Sequence, residues 1–303
     1  MPPLADSFAG RMRTYFREMF PLPRRIATAA LMAVSFETLL ARVHGVPVHL
    51  AEPGLLRSLW AVFGFLLMLR LMDELKDEAL DRALFAHRPL PSGRVKREDV
   101  SRSLAAIALL YVPLHVGAGV GLLSAAAVLA YALLMFRSFF MPGRLRASLP
   151  LTLATHTPVI PLLYTHLVVL FAMRHGLPLR GLRLGPVLLL VAAYWAPAFA
   201  WEISRKIRAR EEEDAYVTYS RLLGRPGAVA LAAGAQLLAL GAAVALALTQ
   251  PVSARFPIVL ATGCGLAFVA DARFLRSPSR STSRLAPFAE AALVGLMVGG
   301  CLA

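Results

Sequence analysis

Three aspartates follow one another at intervals of four residues, at the end of a long apolar stretch. They are Asp73, Asp77 and Asp81, and Glu74 and Glu78 stand beside them. On an α-helix, residues four apart lie on nearly the same face, so the carboxylates are expected to rise in steps of about 6 Å. Mg²⁺ is bound by a few such carboxylates together with waters and phosphate oxygens. The motif therefore predicts a magnesium site at the mouth of an apolar helix.

A second group of acids follows the sixth long apolar run. Glu202 still lies inside the run AYWAPAFAWEI, at a depth where ionisable groups are costly and are functional candidates by default. The block EEED, residues 211–214, comes a few positions later. For each motif the alternative is an ordinary helix end with local ion pairs, such as Glu202 with Lys206 at i, i+4. Two acid-rich segments at two predicted cytoplasmic helix ends favour a shared diphosphate–magnesium site over that alternative.

Basic residues lie on the same segments as the acids. They are Arg88, Arg94, Arg205, Lys206 and Arg208. Arginine grips phosphate with two parallel hydrogen bonds, while lysine offers a point charge. The segment RPLPSG, residues 88–93, has the composition of a rigid turn that would hold its arginines in fixed places. We therefore expect these basic side chains to bind a diphosphate.

The composition is that of a helical membrane protein. Of the 303 residues, 58% are hydrophobic and 17% charged, and the mean hydropathy is +0.63. Such a balance argues against a large soluble domain and predicts an all-α polytopic bundle. Cys264 and Cys301 both lie in apolar runs, so neither a disulfide framework nor a zinc site is expected.

Apolar runs long enough to cross a bilayer predict about nine transmembrane helices around a central cavity, in a single domain covering residues 1–303. The runs lie near residues 26–43, 55–73, 103–121, 122–140, 149–173, 185–203, 228–249, 257–272 and 286–303.

The distribution of basic residues predicts the orientation. With nine spans and a cytoplasmic N-terminus, the inside segments hold 25 of the 32 Lys and Arg residues, as expected when cytoplasmic loops collect positive charge. The charge is thus mainly a topology signal, with some attraction to anionic headgroups of the lipid bilayer, and no nucleic-acid partner is expected. Arg137, after the fourth run, fits a topology role and a diphosphate-binding role equally well. We expect a multi-pass protein of a cell (inner) membrane with cytoplasmic acidic loops.

The first 25 residues show an amphipathic pattern. Phe8, Met12, Tyr15, Phe16 and Met19 recur at helical spacing among several arginines. This pattern predicts a helix that lies on the cytoplasmic interface of the membrane. A disordered basic tail is the alternative.

The stretch DELKDEALDRALFAHRPLPSGRV, residues 73–95, resembles the motif of the UbiA-type intramembrane prenyltransferases. That family carries N-D-x-x-D-x-x-x-D followed by R-P-L-P-S-G. Here Asp73 stands at the Asn position, Glu74 at the first Asp, and Asp77 and Asp81 at the other two, while the turn matches without change. The family's second motif begins with Asp, whereas this chain has Glu202 first and clusters its acids later. Together with the changes at Asp73 and Glu74, these departures argue against the family's usual 4-hydroxybenzoate acceptor.

The resemblance implies an Mg²⁺-dependent enzyme that transfers a prenyl group from a polyprenyl diphosphate to a lipophilic, aromatic acceptor. The implied metal ligands are Asp73, Glu74, Asp77, Asp81, Glu202, Glu213 and Asp214. Of these, the residues expected to be catalytic are Asp73, Asp77, Asp81 and Glu202. The implied diphosphate-binding residues are Arg88, Arg94, Arg137, Arg205 and Lys206.

Two other functions are compatible with parts of the pattern. An intramembrane terpene cyclase of the same family would use the same metal site, so only its products would distinguish it. A transporter without chemistry would predict internally repeated halves and ionisable residues near mid-span. In this sequence the acids cluster at one predicted interface, which disfavours transport.

Overall fold

The computed structural model describes residues 7–49, 52–117, 119–213 and 217–303. These residues form thirteen α-helices joined by short turns and 3₁₀ segments, and they contain no β-strand. The prediction of an all-α protein is confirmed.

The chain divides into two compact units. Among the described residues, the first unit covers 7–33, 52–117 and 119–142, and the second covers 34–49, 143–213 and 217–303. The helices of the first unit are α1 (Phe8–Met19), the first half of α2 (Leu22–His44), α3 (Pro53–Lys76), α4 (Glu78–Leu84), α5 (Arg97–Tyr111) and α6 (Val120–Phe136). The second unit contains the end of α2 and then α7 (Pro142–Ala147), α8 (Leu149–His156), α9 (Val159–Arg174), α10 (Leu184–Ser204), α11 (Tyr219–Thr249), α12 (Arg255–Arg276) and α13 (Ala286–Cys301).

Six helical segments of the described chain are long and apolar enough to cross a membrane. They are Leu22–His44, Pro53–Lys76, Leu149–Arg174, Leu184–Ser204, Tyr219–Thr249 and Arg255–Arg276. Helices α6 and α13 are apolar but shorter. A helix thus lies at each of the nine predicted spans, although not every one has full spanning length.

The third predicted span, near residues 103–121, is helical only in its first half. Helix α5 begins at Arg97 and ends at Tyr111, after 15 residues. A 3₁₀ turn over Pro113–His115 follows, because proline lacks the N–H that would continue the helix. The apolar run in the sequence continues past this point, so hydropathy alone predicts a helix that extends beyond its actual end at Tyr111.

Glycines allow α12 and α13 to pack with their backbones in contact. A Cβ atom at Gly263 would lie 2.5 Å from the carbonyl oxygen of Ala291, and one at Gly295 would lie 2.9 Å from that of Val259. Small residues at such positions permit close approach of membrane helices, where packing rather than the hydrophobic effect drives association.

A buried group of aromatic rings fixes α10, the helix that carries Glu202. The rings of Phe36, Tyr164 and Tyr194 lie 4.7–5.0 Å apart between centroids. The Tyr194 hydroxyl donates to the Ser35 hydroxyl at 2.9 Å. This hydrogen-bonded ring contact ties α10 to α2 and α9 within the second unit.

The contact between α12 and α13 yields a stability prediction. Gly263→Ala should destabilise the protein by about 1–3 kcal/mol, because the added methyl group overlaps the backbone of α13. Thermal unfolding of the purified protein in detergent measures this change. Gly265→Ala is the matched control, since a Cβ atom there meets nothing within 4 Å. Equal melting temperatures for the two variants would contradict the close packing.

Candidate functional site

The first acidic motif is divided by a break in the helix. Helix α3 ends at Lys76, Asp77 has φ −97° and ψ 6°, and α4 begins at Glu78. The helix expected to carry the three aspartates is therefore interrupted at Asp77. The i→i−4 pattern nevertheless continues, because the Asp77 N–H donates to the Asp73 carbonyl and the Asp81 N–H to that of Asp77, both at 2.9 Å. The break lies in a sparsely populated backbone region that often holds active-site residues.

The four acids predicted as metal ligands in this motif fall into two groups. Asp73 and Asp77 are exposed, and Lys76 Nζ lies 3.8 Å from Asp73 Oδ1. Glu74 and Asp81 are only 2% and 7% exposed. Glu74 and Asp81 are therefore both buried, whereas the carboxylates of Asp73 and Asp77 are accessible to solvent.

Each buried acid of the motif has an arginine partner. Arg70, one turn earlier on α3, forms a salt bridge with Glu74. Arg88 Nη1 donates to Asp81 Oδ2 at 2.8 Å, and its guanidinium stacks on the Phe85 ring at 3.9 Å from the centroid. These pairs compensate the charge that would otherwise be desolvated at the end of an apolar helix.

The RPLPSG segment forms the tight turn that the sequence predicts. The N–H of Ser92 donates to the Arg88 carbonyl at 3.0 Å, and that of Val95 donates to the Pro89 carbonyl, also at 3.0 Å. Gly93 has φ +76°, a left-handed conformation that glycine adopts without a steric penalty. The turn thereby holds Arg88 at its start and Arg94 just past its end.

All three guanidinium nitrogens of Arg94 donate hydrogen bonds to other residues of the chain. Its Nη1 and Nη2 donate to the two carboxylate oxygens of Glu18 at 2.6 and 2.8 Å. Its Nε donates to Ser92 Oγ at 3.1 Å, and Nη2 also to the His87 carbonyl at 2.7 Å. The predicted diphosphate-binding role of Arg94 would therefore require an exchange of partners.

Helix α1 docks on the first unit through two forked ion pairs. Arg11 donates to both oxygens of Asp99 at 2.6 and 2.8 Å, and Glu18 accepts from Arg94 as described. These hydrogen bonds hold the pKa values of Asp99 and Glu18 below their usual range. Tyr15, between them on the helix, is fully buried, and burial raises the pKa of its phenol. The predicted amphipathic helix thus exists, with one face against protein.

The sequence analysis did not predict that Glu18 and Asp99 anchor α1. One sequence feature does point to Glu18, because it is the single acid among the basic residues of the helix. No local pattern in the sequence connects it with Arg94, which lies 76 positions away.

The second acidic motif lies in the second unit. Glu202, in the last turn of α10, accepts from Arg205 at 2.9 Å and from Lys206 at 2.8 Å. The guanidinium of Arg205 also lies over the Trp201 ring. The local ion pair considered as an alternative is therefore present, and it brings two of the predicted diphosphate-binding residues to one carboxylate.

The described residues of the EEED block, 211–213, accept hydrogen bonds from residues of nearby loops and helix ends. Glu213 accepts from the hydroxyls of Thr218 and Ser220 at 2.6–2.8 Å. Glu212 accepts from the Ser283 hydroxyl at 2.5 Å, and Glu211 from the Arg280 N–H at 2.9 Å. Asp214, predicted as a metal ligand, lies outside the described residues.

Arg137 lies at a strained turn. It is exposed at the C-terminal end of α6, and the next three residues, Ser138–Phe140, have φ values of 49–59°. Left-handed backbone at three consecutive residues other than glycine is costly, and such strain is concentrated at functional sites. This strained turn is compatible with both roles predicted for Arg137, membrane topology and diphosphate binding.

Two of the predicted acids suit a magnesium ion that is shared with phosphate. Within the described parts of the chain, no three Asp, Glu, His or Cys side chains come together as a ready-made cage. Mg²⁺ commonly binds one or two carboxylates, with waters and substrate phosphates completing the shell. The exposed pair Asp73 and Asp77 fits that mode, whereas Glu74 is buried and its Oε1 is paired with Arg70.

Two solved structures share this fold over nearly the whole chain. A digeranylgeranylglyceryl phosphate synthase of membranes matches with a TM-score of 0.65 and 16% identity, over 96% of this chain and 98% of that one. An apo UbiA homologue from Aeropyrum pernix K1 matches with a TM-score of 0.64 and 18% identity, over 89% of this chain and 97% of that one. The chain has the UbiA-type prenyltransferase fold.

The likeness to UbiA proteins is one of fold. No family model and no curated protein matches the sequence. The resemblance predicted from the first motif is confirmed at the level of the UbiA fold, and the apolar helices make the chain a multi-pass membrane protein. At 16–18% identity, the roles of single residues have to be argued from this chain's own chemistry.

The docking of α1 on this UbiA fold generates a prediction. Asp99→Asn keeps an oxygen for the Lys96 N–H but loses the charge that Arg11 pairs with. Amide hydrogen exchange over α1 should become faster by roughly tenfold or more, the scale of a lost charge-assisted hydrogen bond. Because the pKa of Asp99 is lowered, the wild-type contact is complete at neutral pH and is lost only as the pH falls through that lowered value.

Glu98→Gln, an exposed change one residue earlier, is the matched control and should leave exchange over α1 as in wild type. Unchanged exchange in Asp99→Asn would show that the Arg11–Asp99 pair does not hold α1.

Proposed function

We propose that the protein is an Mg²⁺-dependent prenyltransferase that moves a prenyl group from a polyprenyl diphosphate to a lipophilic aromatic acceptor within the membrane. The observation that supports this proposal is the occurrence of three features together: the fold, a pair of exposed aspartates and a proline-rich turn. A UbiA-type fold carries two exposed aspartates, Asp73 and Asp77, one turn apart at the end of a spanning helix, and the RPLPSG turn follows them. The proposal keeps the orientation predicted from the basic residues, with the acidic motifs on the cytoplasmic side of an inner membrane.

Asp73 and Asp77 are the proposed Mg²⁺ ligands in the first motif. When bound there, Mg²⁺ would neutralise the diphosphate and act as a Lewis acid on the leaving oxygen. Asp81 has a different part in this proposal, since it orients Arg88 through their 2.8 Å hydrogen bond. Glu74 pairs with Arg70 and is not assigned to the metal.

Arg88 is the proposed phosphate-binding residue of this motif. Asp81 and the Phe85 ring hold its guanidinium, and the remaining N–H groups can donate to two oxygens of a phosphate. Its positive charge would stabilise the charge that develops on the leaving diphosphate. Arg94, engaged by Glu18, serves in this proposal to anchor α1.

The reaction breaks the bond between the first prenyl carbon and the diphosphate oxygen. The bonding electrons leave with the diphosphate, which generates an allylic cation. A carbon or oxygen of the acceptor attacks that cation, and the acceptor then loses a proton to solvent or to a leaving-group oxygen. The apolar helices exclude water that would otherwise trap the cation.

The second motif is assigned to the same diphosphate by the sequence resemblance. Arg205 and Lys206 are the cations available there, and Glu202 holds both of them. This arrangement supports Glu202 as a positioning residue for two phosphate-binding side chains. Its role as a direct metal ligand, and that of Glu213, stay predictions.

The acceptor class is open to a direct screen. One structural neighbour is a synthase of digeranylgeranylglyceryl phosphate, so a glyceryl phosphate acceptor belongs in the panel beside phenolic and quinoline-like compounds. A terpene cyclase would consume the diphosphate without any acceptor.

The proposal predicts Mg²⁺-dependent product formation by the purified protein. In detergent, with geranylgeranyl or farnesyl diphosphate and the acceptor panel, wild type should release pyrophosphate with Mg²⁺ and not with EDTA. Asp77→Asn should lower the rate about 100-fold or more, as expected for loss of a charge-stabilising group at the reacting phosphate. Mass spectrometry of the extracts identifies the prenylated acceptor.

Two variants of the second motif make the experiment sharper. Glu202→Gln should lower the rate strongly, while Glu211→Gln, which changes an exposed acid nine residues on, should not. Formation of a cyclic hydrocarbon or alcohol without any acceptor would show that the protein is a terpene cyclase and not a prenyltransferase. Full activity of Asp77→Asn, or activity that persists in EDTA, would contradict the proposed site.

A further inference from the structure

Helix α1 is held firmly by one of its faces. Arg11 and Glu18 each form a forked ion pair with the first unit, at 2.6–2.8 Å. Tyr15, on the same face, is fully buried. Because this face is fixed at both ends of the helix, the opposite face has a defined position.

The opposite face lines an open groove of about 710 Å³. Met12, Arg13, Phe16 and Arg17 recur at helical spacing along α1, and the turn of residues 21–23 at the start of α2 forms the other wall. The volume lies in the range of small-molecule sites. The lining combines apolar side chains with two arginines on one helix face.

The two arginines are available for a ligand. Arg13 is exposed and forms no ion pair with any residue that the structure describes. Arg17 is 76% exposed and lies 3.6 Å from Glu18, whose carboxylate is already engaged by Arg94 at 2.6 Å. The groove therefore carries net positive charge beside its apolar walls.

The groove lies where the first spanning helix begins. Leu22, the first residue of α2, is one of its lining residues. Ile26, one turn further on, is 45% exposed and continues the apolar surface along the span. Arginines at this level meet lipid phosphates, whereas the apolar surface beyond them meets acyl chains.

We propose that the groove between α1 and the start of α2 is a binding site for an anionic phospholipid. Arg13 and Arg17 bind the headgroup phosphate, and the acyl chain lies along Phe16, Leu22 and Ile26. The apolar walls disfavour a free soluble anion, and the two arginines disfavour a lipid without net charge. The site is separate from the acidic motifs and does not depend on the transfer reaction.

Native mass spectrometry of the full-length protein in detergent tests the site. The protein is titrated with phosphatidylglycerol or with phosphatidylcholine of the same acyl chains. The first phosphatidylglycerol should bind more tightly than phosphatidylcholine. Arg13→Gln with Arg17→Gln should weaken it by about 30-fold, from the usual contribution of two basic residues near lipid phosphates. Arg13→Lys with Arg17→Lys should retain most of the binding.

Two further variants separate a site from general charge. Arg24→Gln with Arg102→Gln removes two exposed arginines that do not line the groove, and it should change the affinity less than twofold. Ala9→Trp fills the groove while both arginines remain, and it should displace the lipid. Thermal unfolding confirms that each variant is folded.

Three results would overturn the proposal. Equal binding of the two lipids by wild type would show that the headgroup charge is not recognised. If Arg24→Gln with Arg102→Gln lowered the affinity for phosphatidylglycerol as much as Arg13→Gln with Arg17→Gln, the binding would be non-specific charge attraction. Displacement of phosphatidylglycerol by geranylgeranyl diphosphate would assign the groove to the prenyl donor instead.

Discussion

A carboxylate at the end of a membrane-spanning helix needs a cation nearby, and this requirement organises both acidic motifs. Removing an unpaired charge from water costs far more than a single favourable contact returns. In the first unit the buried acids Glu74 and Asp81 are paired with Arg70 and Arg88. In the second unit Glu202 is paired with Arg205 and Lys206. Asp73 and Asp77, in contrast, are exposed, and solvent can reach their carboxylates.

The same requirement connects the motif to the rest of its unit. Asp81 orients Arg88, the RPLPSG turn links Arg88 to Arg94, and Arg94 pairs with Glu18 of α1. The N-terminal helix is thus joined to the candidate site through a chain of charged contacts. The dependence of α1 on this loop explains why an amphipathic segment that could lie on the membrane surface is packed against protein.

Much of the fold could be predicted from the sequence. Long apolar runs, the proline-rich turn and the four-residue spacing of the aspartates are local patterns, and local patterns are what a sequence displays directly. The bounds of α5 could not be read from hydropathy, because Pro113 ends the helix inside a continuing apolar run.

The site was only partly predictable. The spacing of its acids did not reveal that Glu74 faces inward to Arg70, or that the helix breaks at Asp77, because both depend on the neighbouring elements. The pairing of Glu18 with Arg94 joins residues 76 positions apart, and no periodicity reports a contact at that distance.

In the proposed reaction Asp73 and Asp77 bind a prenyl diphosphate together with Mg²⁺. Direct binding of geranylgeranyl diphosphate to the detergent-purified protein, measured by isothermal titration calorimetry with Mg²⁺ and with EDTA, tests it without reference to any acceptor. We expect Mg²⁺-dependent binding by wild type and by Glu98→Gln, and an affinity about tenfold or more weaker in the Asp73→Asn/Asp77→Asn double variant. If the double variant bound geranylgeranyl diphosphate as tightly as wild type in the presence of Mg²⁺, the proposed role of Asp73 and Asp77 would be contradicted.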